Sequence, residues 1–230
     1  IGGLVGINSG QIDQSYSTGT VNANYGSSSP STTSSNIGGL VGENSAGIVK
    51  SSHSTGQINI YGAGNSVGGL IGNATLNPAV PTSQSKITNS YSTSNINAVG
   101  NLRFSGGFVG NADAAIITNA YAKGNITAPI VASELLGGFV GNAYSLATSI
   151  TNAYSTGSVS TGSINNIAGF AGGLENGPSI VNSFWDTNTS AKSVGALTYG
   201  SNNPPATVGL IGKTTSEIQG LAGSLNSSTP

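Results

Sequence analysis

The chain contains no cysteine and no methionine. Disulfides, thiolate metal sites and cysteine nucleophiles are therefore excluded. Charge is almost as scarce, with 6 Lys and Arg against 7 Asp and Glu in 230 residues, so no basic field exists to draw in nucleic acid or an anionic membrane. Ordinary surfaces are roughly a quarter charged; this one must be covered by Ser, Thr, Asn and Gly, which fits a secreted surface protein better than a cytosolic enzyme. No apolar run reaches the roughly 18 residues of a spanning helix. Helical spacing with end caps is found only over Thr214–Leu225. The chain opens inside a repeat, without Met or signal peptide, and reads as a piece of something longer.

What is present is a phrase that returns. Ile1-Gly2-Gly3-Leu4-Val5-Gly6 recurs as IGGLVG from Ile37, VGGLIG from Val67, SGGFVG from Ser105, LGGFVG from Leu136 and IAGFAG from Ile167, at intervals of 36, 30, 38, 31 and 31 residues. That spacing is typical of solenoids. Gly2, Gly3 and Gly6, with Gly38, Gly39, Gly42, Gly68, Gly69 and Gly72, mark positions that need either positive φ at a corner or close approach of a neighbouring backbone. Ala168 stands for a glycine in the sixth copy.

A second phrase follows each first one: SYSTG around Tyr16, SHSTG around His53, SYSTS around Tyr91, AYAKG around Tyr121, AYSTG around Tyr154 and SFWDT around Phe184. Four residues earlier stand Ile12, Val49, Ile87, Ile117, Ile150 and Ile180; five residues later stand Val21, Ile58, Ile96, Ile126 and Val159. Short segments rich in β-branched and aromatic residues, bounded by Gly, Asn and Ser, predict strands. About three strands per repeat are expected, stacked at about 4.8 Å so that like lies over like. Six coils of that rise make a rod of roughly 29 Å. The aromatic slot becomes a column, and Asn89, Asn119, Asn152 and Asn182 become an amide column two residues earlier.

The repeats divide as 1–36, 37–66, 67–104, 105–135, 136–166 and 167–189, and 190–230 is expected to be a C-terminal cap or the lead-in to a following domain. Irregular length falls at Gly26–Asn36, Thr75–Ser85 and Ala128–Glu134, where ligand contacts are expected.

The GGLVGxN phrase followed by SYSTGxV resembles the GLUG repeat of large secreted bacterial adhesins of the filamentous haemagglutinin type and of IgA-peptidase-like surface proteins. The resemblance covers Ile1 to Thr189, and Phe184-Trp185-Asp186 followed by a Gly-Lys-Thr-Thr segment is similar to the usual close of such arrays. It implies an all-β fold, a β-solenoid in the form of a right-handed parallel β-helix of about six imperfect coils with variable loops, within a surface-exposed adhesin. The family's motif is made of scaffold residues and brings no catalytic motif.

Chemistry-bearing residues are sparse. His53 fills a slot that is Tyr elsewhere and reads as a ring in the aromatic column. Asp13, Glu43, Asp113, Glu134, Glu175, Asp186 and Glu217 fall at different repeat positions, whereas polysaccharide cleavage needs paired acids in one cleft. No enzyme, catalytic residue, metal site or cofactor is expected. Trp185 beside Asp186 is the one candidate ligand-binding pair, since an aromatic next to a carboxylate suits a sugar; packing in the terminal coil is the competing reading. Thr18, Thr55, Thr93 and Thr156 share one repeat position, interrupted by Lys123, which raises ice binding as a minor alternative. Asn73, Asn125, Asn188 and Asn226 head N-glycosylation patterns that chance explains in so Asn-rich a chain. The expectation is a stalk: a structural and adhesive segment at the bacterial surface, a monomeric part of a longer chain that presents loops to a host-cell or surface receptor, with a glycan as one candidate. A carbohydrate-binding module is the alternative.

Overall fold

A computed structural model describes residues 1–26, 35–77, 79, 82–128, 135–162, 166–198, 205–207 and 209–226. The chain winds as a parallel β-solenoid. Its first face is a seven-stranded sheet formed by Val5–Asn8, Val41–Ser45, Ile71–Thr75, Val109–Asp113, Val140–Tyr144, Ala171–Glu175 and Ala196–Thr198. The second face carries the aromatic phrase and is the widest, with Ser85–Ser92, Ala115–Ala122 and Ser149–Ser155 at its centre. Five-stranded third and fourth faces complete the coil, the third on the Val21 to Val159 series and the fourth on the residues that enter each glycine phrase. All pairings are parallel and join successive repeats, as in Tyr91↔Tyr121 and Tyr121↔Tyr154.

Each complete coil thus has four faces where about three strands per repeat were expected. The glycine phrase is the reason. It is a corner between two strands, the fourth face ending at Gly38 and the first beginning at Val41. None of the glycines in this phrase has positive φ; the described glycines that do are Gly62, Gly177 and Gly209. Close approach is what excludes a side chain. A Cβ on the first glycine would strike the carbonyl three residues on, as Gly38 would that of Val41. On the last, it would strike the preceding coil, as Gly72 would the Gly42 oxygen at 2.5 Å.

The middle glycine has a further neighbour inside the coil. A Cβ on Gly39 would lie 2.9 Å from the Ser54 Cβ, and one on Gly138 would lie 3.1 Å from the Ser155 Oγ. The end of the second face therefore touches the corner across the interior and pinches the cross-section into two lobes. One lobe holds Leu40, Leu70, Phe108, Phe139 and Phe170 against Val49, Ile87, Ile117, Ile150 and Ile180. The other holds Ile58, Ile96 and Ile126 against Ile37, Val67 and Leu136. At the waist a hydroxyl is the right size and its proton has a target: Ser54 Oγ donates to the Gly69 carbonyl (2.6 Å) and Ser155 Oγ to that of Gly169 (2.7 Å). Buried Phe108, Phe139 and Phe170 stack at 4.8 Å spacing within the first lobe.

Beyond the sixth glycine phrase, Ala196–Thr198 and Leu210–Lys213 add strands to the first and second faces. A short helix, Thr187–Ser190, and the C-terminal helix Thr215–Asn226 complete the described chain.

Candidate functional site

Trp185 and Asp186 close the second face at its C-terminal end. Alternation along Ser183–Asp186 turns Phe184 outward and Trp185 inward, where it takes the waist slot that Ser155 holds in the coil before. Trp185 is 7% exposed, and its indole N–H donates to the Lys192 carbonyl at 3.0 Å. It also lines a cavity of about 350 Å³ with Leu174, Ala196, Pro205, Thr207 and Leu210. Asp186 is 1% exposed. Its Oδ1 accepts from the Asn188 and Thr189 amides (2.9 and 3.2 Å), capping the short helix, and its Oδ2 accepts from Thr215 Oγ1 (2.8 Å) at the start of the last helix. The pair thus fastens the terminal coil, with no aromatic face turned outward beside an open carboxylate.

The outer surface of the second face is where repeated chemistry gathers. Tyr16, His53, Tyr91, Tyr121, Tyr154 and Phe184 form one stack, with successive centroids 5.3, 4.6, 4.7, 5.0 and 5.1 Å apart and ring planes within 11° of parallel. His53 is a rung of this stack, between Tyr16 and Tyr91. Because each inner ring is covered on both sides by its neighbours, the stack presents ring edges and phenol tips. Burial, reinforced by Tyr154 and Tyr91 alongside, pushes the Tyr121 hydroxyl up to about 12, and burial raises that of Tyr154 as well.

Beside the rings runs the amide row. Asn89, Asn119, Asn152 and Asn182 have φ of 50°, 54°, 54° and 48°, the left-handed region that Asn tolerates better than most residues. Gln14 and Ser51 hold the same slot in the first two coils, at 47° and 49°. Asn119 Nδ2 donates to Asn89 Oδ1 and Asn152 Nδ2 to Asn119 Oδ1, each at 3.1 Å. Asn119 thereby uses one amide proton and one lone pair within the row. The kink costs the strand its regular pairing, and where a serine follows, as Ser52, Ser90 and Ser183 do, its hydroxyl accepts a backbone amide of the coil before. Ser90 Oγ donates to the Thr88 carbonyl (2.8 Å) and accepts the Ser52 amide (3.1 Å).

Thr93, Lys123 and Thr156 border the rings on the other side, with Lys123 Nζ 5.0 Å from the Tyr121 ring centre. At the first coil, Lys50 pairs with Asp13 at 3.6 Å. A second amide row went unread in the sequence: Asn111 Nδ2 donates to Asn73 Oδ1 (3.0 Å) and Asn142 Nδ2 to Asn111 Oδ1 (3.2 Å) on the first face. Its signal was the asparagine closing the GGLVGxN phrase, which shifts by one residue between copies.

Among the described residues no three His, Asp or Glu side chains come together. Burial raises the Asp113 and Glu175 carboxyls, the latter opposed by Arg103. No helix there is long and apolar enough to cross a membrane. The stretches expected to carry ligand contacts at 27–34, 78, 80–81 and 129–134, Glu134 included, lie outside the described residues.

In comparisons with known proteins, the model of a family described as the GLUG motif matches residues 1–22, 33–60, 63–97, 105–127 and 132–160. The sixth copy stacks as a coil but lies outside these segments. Neither a curated protein nor a solved structure matches the chain.

Proposed function

The chain belongs to the GLUG-motif family, and from that premise we propose that it is a structural and adhesive segment of a bacterial adhesin, secreted and held at the cell surface. It acts as a rod-like stalk that carries loops and faces toward a host-cell or surface receptor. The observation that carries this reading is the continuity of the stack: strands pair in register from the first repeat to the last, and an apolar core runs through every described coil. Such an array gains length by adding coils without changing its cross-section. In this reading the chain works as a monomeric part of a longer protein, without catalysis, cofactor, nucleic acid or membrane insertion, and residues 190–230 close the array.

Two measurements test it. Solution scattering should show the dimension along the coil axis shortening by about one coil rise, roughly 4.8 Å, when one repeat, such as 67–104, is excised, with the cross-section unchanged. Bacteria displaying the segment on a non-adherent strain should attach to host cells or abiotic surfaces more than undisplayed controls do. Excision that changes the cross-section instead of the axial length, or attachment equal to the controls, would sink the proposal.

A further inference from the structure

The second face offers three rows in step, namely amides, phenols and hydroxyls, each repeating once per coil. From Thr88 to Asn182 its outward positions carry no ionisable group except the tyrosines; Lys123 and Lys86 stand at its two borders, and Asp13 and Lys50 pair with each other in the first two coils. We propose that this face binds an extended, neutral β-1,4-linked glycan lying parallel to the rod axis, one sugar ring per rung. The inference rests on the adhesive reading and names the chemical class of its receptor.

The choice of occupant follows from spacing and charge. A partner using this face must offer neutral donors and acceptors at the 4.6–5.0 Å step of the rings at its centre. A β-1,4-linked chain of pyranoses is a flat, straight ribbon that advances one ring at a comparable step; successive rings are turned over, so one edge offers some hydroxyl at every ring and the same hydroxyl at every second ring. An α-1,4-linked chain coils and carries its hydroxyls off the line. A peptide strand advances about 6.6–6.8 Å between side chains on one face and falls out of step within a few rungs. A polynucleotide would need cations opposite its phosphates. An ordered water lattice wants a flat, unbroken hydroxyl sheet, whereas here Lys123 breaks the threonine row and the ring stack stands beside it.

Rigidity favours binding as well. Ring faces are spent on neighbouring rings and the amides on one another, so both rows are ordered before a ligand arrives and binding freezes few further rotamers. The tips left outward are hydroxyls, N–H groups and amide oxygens, which match the edge of a sugar ribbon better than its apolar face.

The test uses the whole chain with chito- and cello-oligosaccharides of two to six sugars, followed by calorimetry or NMR titration, alongside malto-oligosaccharides. Binding should strengthen with each added sugar in at least one β-1,4 series and be weaker in the α-1,4 series. The triple variant Y91F/Y121F/Y154F keeps the stack and removes the phenol row; it should lose about tenfold in affinity, as does Asn119→Asp, which keeps a residue tolerant of left-handed φ. Thermal unfolding of the triple variant should stay unchanged, separating lost contacts from lost fold. Absence of binding to every β-1,4 oligosaccharide, equal binding of the malto series, or full affinity in both variants overturns the inference. So does ice-growth inhibition by the parent chain without glycan binding. If displayed cells still attach while no oligosaccharide binds, the glycan inference falls and the adhesive reading stands.

Discussion

The first and last described coils treat the same sequence slots differently. In the first coil Leu4 is 50% exposed, and a Cβ on Gly6 would meet nothing within 4 Å. One coil further in, Leu40 is fully buried and the glycine equivalent to Gly6, Gly42, would carry its Cβ to 2.6 Å from the Gly6 oxygen. At the other end, Phe170 hydrogen-bonds through its amide to the Gly195 carbonyl, Trp185 fills the waist, and Ile211 pairs beside Phe184. The lesson is that burial belongs to the interface between coils, not to the residue. A phrase is apolar everywhere, but it becomes core only where a coil lies on each side.

That contrast can be broken or sharpened by paired substitutions. The largest effect is expected for Phe139→Ala, which empties a buried slot in the middle of the phenylalanine stack and should cost about 3–5 kcal/mol, whereas Leu4→Ala should cost less than about 1 kcal/mol by denaturant titration. Comparable losses at both sites would mean that position in the stack does not matter. Gly72→Ala drives a methyl into the backbone of the preceding coil and should cost on the order of 3 kcal/mol; Gly6→Ala should stay within about 0.5 kcal/mol. At the closed end, Asp186→Ala removes the cap of the short helix and its tie to Thr215, with an expected loss of about 1–2 kcal/mol and faster hydrogen exchange confined to the last coil.

The smallest effect concerns pH. Tyr121 is raised from 10.0 to about 12, so its neutral form is favoured in the folded chain. Its stabilisation is therefore intact below pH 10 and disappears as pH climbs through about 12. Tyr121→Phe should flatten that decline in melting temperature, and tyrosinate absorbance should rise later than in the unfolded chain. An identical decline in the variant would place the alkaline sensitivity elsewhere.

Much of this arrangement was legible because stacking repeats any requirement at a fixed offset. Ile12, Val49, Ile87, Ile117, Ile150 and Ile180 occupy one column of the core, and the six rings stack in the order in which the second phrase presents them. The GLUG resemblance was likewise in the two phrases. The corner was legible only in part, since the glycines offered either a corner or a close backbone approach. A run such as IGGLVG reads as one apolar strand, and only the clash of a Cβ with the Val41 carbonyl reveals the bend at Gly38. The waist serines hid for a related reason, since a hydroxyl in an apolar column looks like an outward residue. Alternation from the outward Tyr91 would have placed Ser92 inside. Trp185 carried two readings, a sugar site from an indole beside a carboxylate and packing in the terminal coil, and the same alternation, with Phe184 outward, turns it into the core.

The pairing of each strand with its counterpart in the next coil has a mechanical consequence. Backbone hydrogen bonds of all four faces point along the rod, so a pull on its two ends loads the coil interfaces in series. The weakest interface yields alone while the others hold. Each coil that peels away releases the 30–38 residues between successive phrases, or about 100–125 Å of extended chain at roughly 3.3 Å per residue. A rod built this way lengthens in steps under tension, absorbing a tug one coil at a time.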